Sequence, residues 1–346
     1  MSAPADESRT VDPRLDDWIA ERTGFRGPWK LHRLTGGNSN ETCLLRAGEQ
    51  AFVLRRPPQH ALSSSAHSVT REHAVLSALS ETAVPAPRPI ALCTDEAVPM
   101  APFMLMERVA DAVSVTERLP TAYWKDASAL QQVADEVVDA LATVHALDWR
   151  AAGLADFGRP ERFLERQVPR WYGQWERIAR RSLPQMTELA DWLDGTRPAD
   201  RAPALMHGDF HLDNCLVSTG EPRLRAVIDW EMATIGDPLL DLGLLVTFWG
   251  RRPLDHPAMP AIQAVSRHPE APPREHLVAR YEQTIGARTS NLEYYRCLAL
   301  FKLAAIVEAA YSQHLAGELN TRYAAALEHD VPAMLEEARI TAGLSG

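Results

Sequence analysis

The sequence predicts an α+β fold of two lobes, a small strand-rich N-terminal lobe over residues 1–106 and a large helical lobe over 107–346. Three observations lead there. Short apolar runs of strand length, punctuated by turn residues, dominate the first third of the chain. From residue 126 the apolar residues recur at helical spacing instead. Dense polar motifs occur in both regions, which points to a site shared between the lobes. The composition permits such a fold: 346 residues, 46% hydrophobic and 24% charged, suffice for a sizeable core.

The elements follow in order. "DPRLDDWIAERTG" (12–24) reads as a short helix, with Asp12 as cap, Pro13 in the first turn, Gly24 as stop, and Leu15, Trp18 and Ile19 on one face. "WKLHRL" (29–34), "ETCLLRA" (41–47) and "AFVLRR" (51–56) read as strands, the first two joined by "TGGNSN" (35–40). "SVTREHAVLSALS" (68–80) is helical, and the Pro-rich "VPAPRPIAL" (84–92) leads into another strand. "PFMLMERV" (102–109) starts apolar and turns abruptly polar, as a buried strand does on leaving a sheet. "DASALQQVADEVVDALATVHALD" (126–148) places Leu130, Val133, Val137, Leu141 and Val144 on one helical face. "ERFLERQVPRWYGQWERIARR" (161–181) is helical, with a kink or break expected at Pro169. "NCLVS" and "RLRAVIDW" are two strands around "TGEP", and the remainder is helical, including 291–317. Segment 251–275 holds six prolines and reads as an exposed connection.

Charge and composition exclude several classes. A formal net charge of −10 argues against general nucleic-acid binding, which needs a basic footprint. Cys43, Cys93, Cys215 and Cys297 form no CxxC pair, so neither a zinc site nor a disulfide framework is indicated. The N-terminus lacks an apolar stretch, and no run approaches the ~20 residues of a membrane span. A cytoplasmic protein is expected. Only Lys30, Lys125 and Lys302 are lysines, so 33 of the 36 basic residues are arginines (36 minus 3).

The chemistry is concentrated in "HGDFHLDN" (207–214) and "IDWE" (228–231). Phosphoryl transfer from ATP needs a flexible turn over the phosphates, a cation held by a helix carboxylate, oxygen ligands for Mg²⁺ and a carboxylate for the attacking hydroxyl. Each part has a candidate in the expected chain order. The turn is Gly36, Gly37, Asn38, Ser39 and Asn40. The cation is Arg55 and the helix carboxylate is Glu72. Asp209 is the catalytic base, with Asn214 and Asp229 as metal ligands. Adenine is expected on the backbone of Glu107 and Val109, where a strand exits between the lobes.

This pattern, completed by "GDPLLDLG" (236–243), resembles the aminoglycoside phosphotransferase and choline kinase-like family, with its protein-kinase-like fold and enlarged helical lobe. "GGNSNET" (36–42), "FVLRRPP" (52–58), "REHAVLSAL" (71–79) and "RQVPRWYGQW" (166–175) look most like the branch found as kinase-like domains fused to some acyl-CoA dehydrogenases. The resemblance implies an ATP- and Mg²⁺-dependent phosphotransferase acting on a small-molecule hydroxyl, with His207 buttressing the loop. It also implies that Arg55 stands where protein kinases have lysine, a substitution familiar in that branch. Asp237 and Asp241 read as structural, Asp241 suiting a helix cap.

The acceptor divides the readings. Six arginines against three glutamates give 161–181 a net charge of +3 (six minus three). As a lip of the site, Arg166, Arg170, Trp171 and Trp175 would bind an anionic handle, such as that of the hydroxyacyl-CoA thioesters associated with the branch. As a solvated amphipathic helix they would bind nothing, and an aminoglycoside acceptor would need an acidic pocket elsewhere. Two other functions compete: a metal-dependent hydrolase using alternating His207, Asp209 and His211, and a pseudokinase that binds nucleotide without turnover.

Overall fold

A computed structural model describes residues 9–34, 40–57 and 69–344. A six-stranded antiparallel sheet forms the small lobe, in the order β1-β2-β3-β4-β6-β5. Its strands are β1 (Arg9–Thr10), β2 (Lys30–Arg33), β3 (Glu41–Ala47), β4 (Gln50–Arg56), β5 (Pro89–Cys93) and β6 (Phe103–Glu107). Helix α1 (Pro13–Thr23) begins as its sequence predicts: the Asp12 side chain accepts the Arg14 N–H, and Gly24 closes it in the left-handed region. Helix α2 (Val69–Leu79) packs against β5 and β6.

Period-two alternation divides the sheet between two cores. Phe103 and Leu105 of β6 face a small cluster with Leu15, Trp18, Trp29, Phe52 and Leu54. Met104 and Met106 face the other way, into the large core that continues through the helical lobe. Arg55 lies opposite Met104 in the ladder, so the strand pleat points it at the lobe junction. Arg56, on the opposite face, pairs with Glu41 at 3.1 Å.

The helical lobe contains α3 (Ala129–Ala146), α4 (Gln167–Ile178), α5 (Pro184–Gly195), α6 (Leu239–Phe248), α7 (Arg274–Ile285), α8 (Leu292–Leu315) and α9 (Arg322–Ala342). Two small sheets carry the polar motifs: β7 (Ala112–Ser114) with β9 (Cys215–Ser218) and β10 (Leu224–Val227), and β8 (Ala204–Met206) with β11 (Thr234–Gly236). Gly243 lets α6 lie against α8, because a Cβ there would come within 2.8 Å of the Tyr295 backbone. All four cysteines are free and buried. Among the described residues no helix is long and apolar enough to cross a membrane.

Two expectations need correction. Pro169 does not break its helix. It is the third residue of α4, in the first turn, where the missing N–H has no intrahelical acceptor to lose. Segment 251–275 is only in part an exposed connection: Arg251, Pro253 and His268 are exposed, but Arg252, Ala258, Gln263 and Ser266 are buried. Arg252 pairs with Glu337 of α9 at 2.7 Å, and the Gln263 side chain donates to the Leu245 carbonyl at 2.9 Å. Prolines limit the conformations of such a stretch without setting its exposure.

Candidate active site

The loop 207–214 leaves β8 and enters β9. Gly208 sits at φ +83°, and a Cβ there would lie 2.2 Å from the Met232 carbonyl oxygen, so only glycine fits. Asp241 of α6 holds the loop by accepting the His207 N–H at 2.7 Å and the Gly208 N–H at 2.9 Å. It lies within the first turn of α6 and secures the loop rather than capping the helix. Asp237 accepts the Tyr295 hydroxyl at 2.9 Å and the Leu239 N–H at 3.1 Å, a buried structural role. The His207 ring donates from Nε2 to the Ile228 carbonyl at 2.9 Å, and Nδ1 accepts the Asp209 N–H at 3.3 Å. Both ring nitrogens are thereby engaged with backbone, which leaves neither for the alternating His-Asp-His metal site of the hydrolase reading.

Asp209 is accessible, with 37% of its side chain exposed. Asn214 Nδ2 donates to the Asp209 carbonyl at 2.9 Å, which turns both side chains into one space. Burial opposes the charge of Asp209, but His211, His207 and Lys302 outweigh it and hold the carboxyl well below its ordinary range. Burial likewise opposes the charge of His211, and Asp209 with Asp213 pushes its pKa up to about 10. His211 is therefore a cation wedged between two carboxylates.

Across the lobe junction, Arg55 meets three carboxylates. It pairs with Glu72 at 2.9 Å, with Glu231 at 3.1 Å and with Asp229 in short contact. Asn40 donates to Glu231 at 2.7 Å. Glu72 is almost fully buried, and burial raises its pKa to about 7, with Arg55 opposing and Asp229 and Glu231 adding to the rise. Asp229 also moves up, from burial first. It adopts a left-handed backbone at φ +69°, an uncommon conformation for a residue with a side chain.

Asp209, Asn214, Asp229, Arg55, Glu72 and Asn40 thus meet where the lobes join. Gly36, Gly37, Asn38 and Ser39 lie outside the described residues. Glu107 ends β6, and its N–H donates to the Arg88 carbonyl at 2.9 Å, while Val109 follows half-buried. The expected lip is rearranged. Trp171 is buried, its Nε1 bonded to Gln167 Oε1 at 3.0 Å. Trp175 is partly buried, and Arg166 is tied to the carbonyls of Arg159 and Glu161.

Sequence reasoning missed three residues here. Glu231 was in view within "IDWE" but carried no motif role of its own. Gln263 clamps the loop from 50 positions away, accepting the Leu212 N–H at 2.8 Å and donating its own N–H to Asp213 at 2.8 Å. Lys302 of α8 donates to the Gly208 carbonyl at 2.5 Å and lies 5.8 Å from the centre of the Trp171 ring. Its scarcity was the available signal, as one of three lysines in the chain.

The model of the phosphotransferase enzyme family matches residues 30–277, a span that includes the lobe junction, the 207–214 loop and Asp229. The chain belongs to this family. Among curated relatives of this family member, acyl-CoA dehydrogenase family member 11 of Gallus gallus is 34% identical over 85% of the chain. Family member 10 of Mus musculus is 30% identical over 86%. The alignments span 38% and 28% of those relatives, so the chain spans well under half of their length. A solved structure from Ralstonia eutropha, classed with the aminoglycoside phosphotransferases, superposes at TM-score 0.79 with 29% identity, covering 97% of this phosphotransferase and 99% of that chain. Aminoglycoside phosphotransferase APH(4)-Ia in complex with ADP and hygromycin B superposes at TM-score 0.57 with 18% identity, covering 93% and 98%, a likeness of fold.

Proposed function

We propose that this phosphotransferase moves the terminal phosphoryl group of Mg-ATP to a hydroxyl of an anionic small molecule, with a hydroxyacyl-CoA as the acceptor class. The observation that carries the reading is the convergence of Asp209, Asn214, Asp229 and Arg55 at the junction of the lobes. Asp209, ionised and accessible, would accept the proton of the hydroxyl as the phosphoryl group transfers. Asp229 and Asn214 offer hard oxygen donors, the kind Mg²⁺ takes, and would hold it. Bound there, the metal would neutralise charge on the phosphate oxygens. Arg55 would grip the phosphates, its planar fork suiting two oxygens at once. The strand-rich lobe over 1–106 would carry the nucleotide, with Gly36 to Asn40 over the phosphates and Glu107 and Val109 on adenine, and 107–346 would carry the acceptor. The ADP in the APH(4)-Ia structure supports the nucleotide half.

The charges beside Asp209 support the acceptor half. Lys302 is attracted by Asp209 and Asp241 and repelled by Arg170, and burial moves its pKa down first of all. Arg170 stacks 4.5 Å from the centre of the Trp171 ring, and its pKa too is lowered, by burial and then by Arg166 and Arg71. Four cations gathered on this side would repel a polycationic aminoglycoside and attract phosphates. The similarity to acyl-CoA dehydrogenase family members 10 and 11 agrees with a thioester acceptor.

The test compares kcat/KM for a 4-hydroxyacyl-CoA and for kanamycin at two salt concentrations. The thioester is expected to be preferred, with turnover weakened by salt and by Arg170→Ala. Asp209→Asn should cost about 10²–10⁴-fold in kcat while nucleotide still binds. Preference for kanamycin overturns the acceptor, and retention of more than roughly a tenth of turnover in Asp209→Asn overturns the base.

A further inference from the structure

We infer that a second anion site, remote from the loop 207–214, lies where α6 ends and α7 begins, and that it takes a small phosphate-bearing molecule. A cavity of about 470 Å³ opens there, lined by Arg251, Arg252, Arg274 and Arg296, with Ile340 of α9 as an apolar wall. Its volume lies within the range of small-molecule sites, about 300–1,000 Å³.

The charge in this cavity is not balanced. Arg252 is 4% exposed and forks onto Glu337, at 2.8 Å and 2.7 Å. That is the only ion pair any of the four makes among the described residues; Asp330 acts on Arg252 and Glu275 on Arg274 from farther away, so positive charge still predominates at the cavity wall. Arg274 spends its donors on the end of α6, at 2.6 Å to the Trp249 carbonyl and 2.8 Å to that of Arg251, which uses hydrogen bonds without cancelling charge. Burial, then repulsion from Arg296 and Arg252, pushes the pKa of Arg274 down to about 10. Arg296 Nε is buried without a hydrogen-bond partner. A buried unpaired donor is costly, and Arg296 lines the cavity while remaining partly exposed, so an anion there would meet this side chain. Arg251 is exposed at the rim and supplies the second free fork.

The surroundings fix where the anion would sit. A neighbouring hollow of about 410 Å³ shares Arg274 and Arg296 but is also lined by Arg288, Glu275, Glu282 and Glu293, three carboxylates against three guanidinium groups. That hollow has no excess of positive charge, so the anion would sit between Arg251, Arg296 and Ile340. Two planar guanidinium forks at one cavity suit a phosphate, whose oxygens accept paired N–H donors. The site is separate from the catalytic loop: Asp241, which holds that loop, and Phe248, which ends α6, are about 10 Å apart along the helix.

The test titrates inorganic pyrophosphate, in EDTA and at constant ionic strength, into the whole chain by calorimetry. The variants are Arg296→Gln, the exposed Arg251→Glu, which disturbs no packing, and Arg170→Ala as a control at the acceptor side. One saturable site per chain is expected, weakened at least about tenfold by Arg251→Glu and by Arg296→Gln and changed less than about twofold by Arg170→Ala. Absence of saturable binding overturns the site. So does unchanged binding in either pocket variant, or loss of binding in Arg170→Ala, which would place the anion beside Asp209. None of these results bears on phosphoryl transfer, because the residues are different.

Discussion

Gly208 shows how little freedom a residue of the loop has. Its positive φ and the Met232 carbonyl leave no room for a Cβ, so Gly208→Ala should destabilise the protein by at least about 1–3 kcal/mol, read from the urea midpoint. An unchanged midpoint would show that the loop can move away from Met232. His211 makes a second prediction. Its folded pKa, raised to about 10, exceeds its unfolded value near 6.5, so its contribution to stability is complete below about pH 6.5 and is lost as pH rises towards 10. Thermal midpoints of wild type and His211→Gln should converge between roughly pH 7 and pH 9.5; parallel curves would mean that the imidazolium contributes no stability there. The motif residues could be read from the sequence because phosphoryl transfer demands their types at short spacing. Lys302 and Gln263 could not, because they reach the same loop through the tertiary fold, 94 and 51 positions away from their backbone partners.

At the scale of elements, most of the fold follows from local pattern. The cap at Asp12, the strand alternation through Phe103–Met106 and the apolar stripe of α3 all have local causes. Segment 251–275 does not. Its prolines say only that it is irregular, and its burial depends on Glu337, Leu245 and Asp213, which local pattern cannot see. This segment clamps the catalytic loop through Gln263. Gln263→Ala would leave the Leu212 N–H without its acceptor, at a cost of about 1–3 kcal/mol, and should lower kcat more than it raises KM for ATP. A Gln263→Ala enzyme with wild-type stability and kcat would reduce the clamp to a passive contact.

The whole molecule is bound together across the lobe junction. One face of the six-stranded sheet and α2 belong to the same core as the helices. Arg71 of α2 donates to the Phe157 carbonyl at 3.2 Å and to that of Ala233 at 3.4 Å, and the Val227 N–H donates to the Pro85 carbonyl at 2.8 Å. A cut at 106/107 would divide this core. The two lobes should therefore unfold in one transition, with tryptophan fluorescence and far-ultraviolet circular dichroism giving the same midpoint. Separate midpoints would show that the lobes are independent. Arg71→Ala should lower that single midpoint without splitting it.

The four cysteines have a practical consequence. Each is buried, and burial pushes every thiol up from its ordinary range, Cys297 to about 12. Thiolate is the reactive form, so maleimide reagents at neutral pH meet four inert sulfurs. A cysteine introduced on an exposed loop would be the one site that labels rapidly. Fluorophores or spin labels can then be placed on either lobe of the wild-type chain, and the distance between them followed as nucleotide binds, with none of the native cysteines removed.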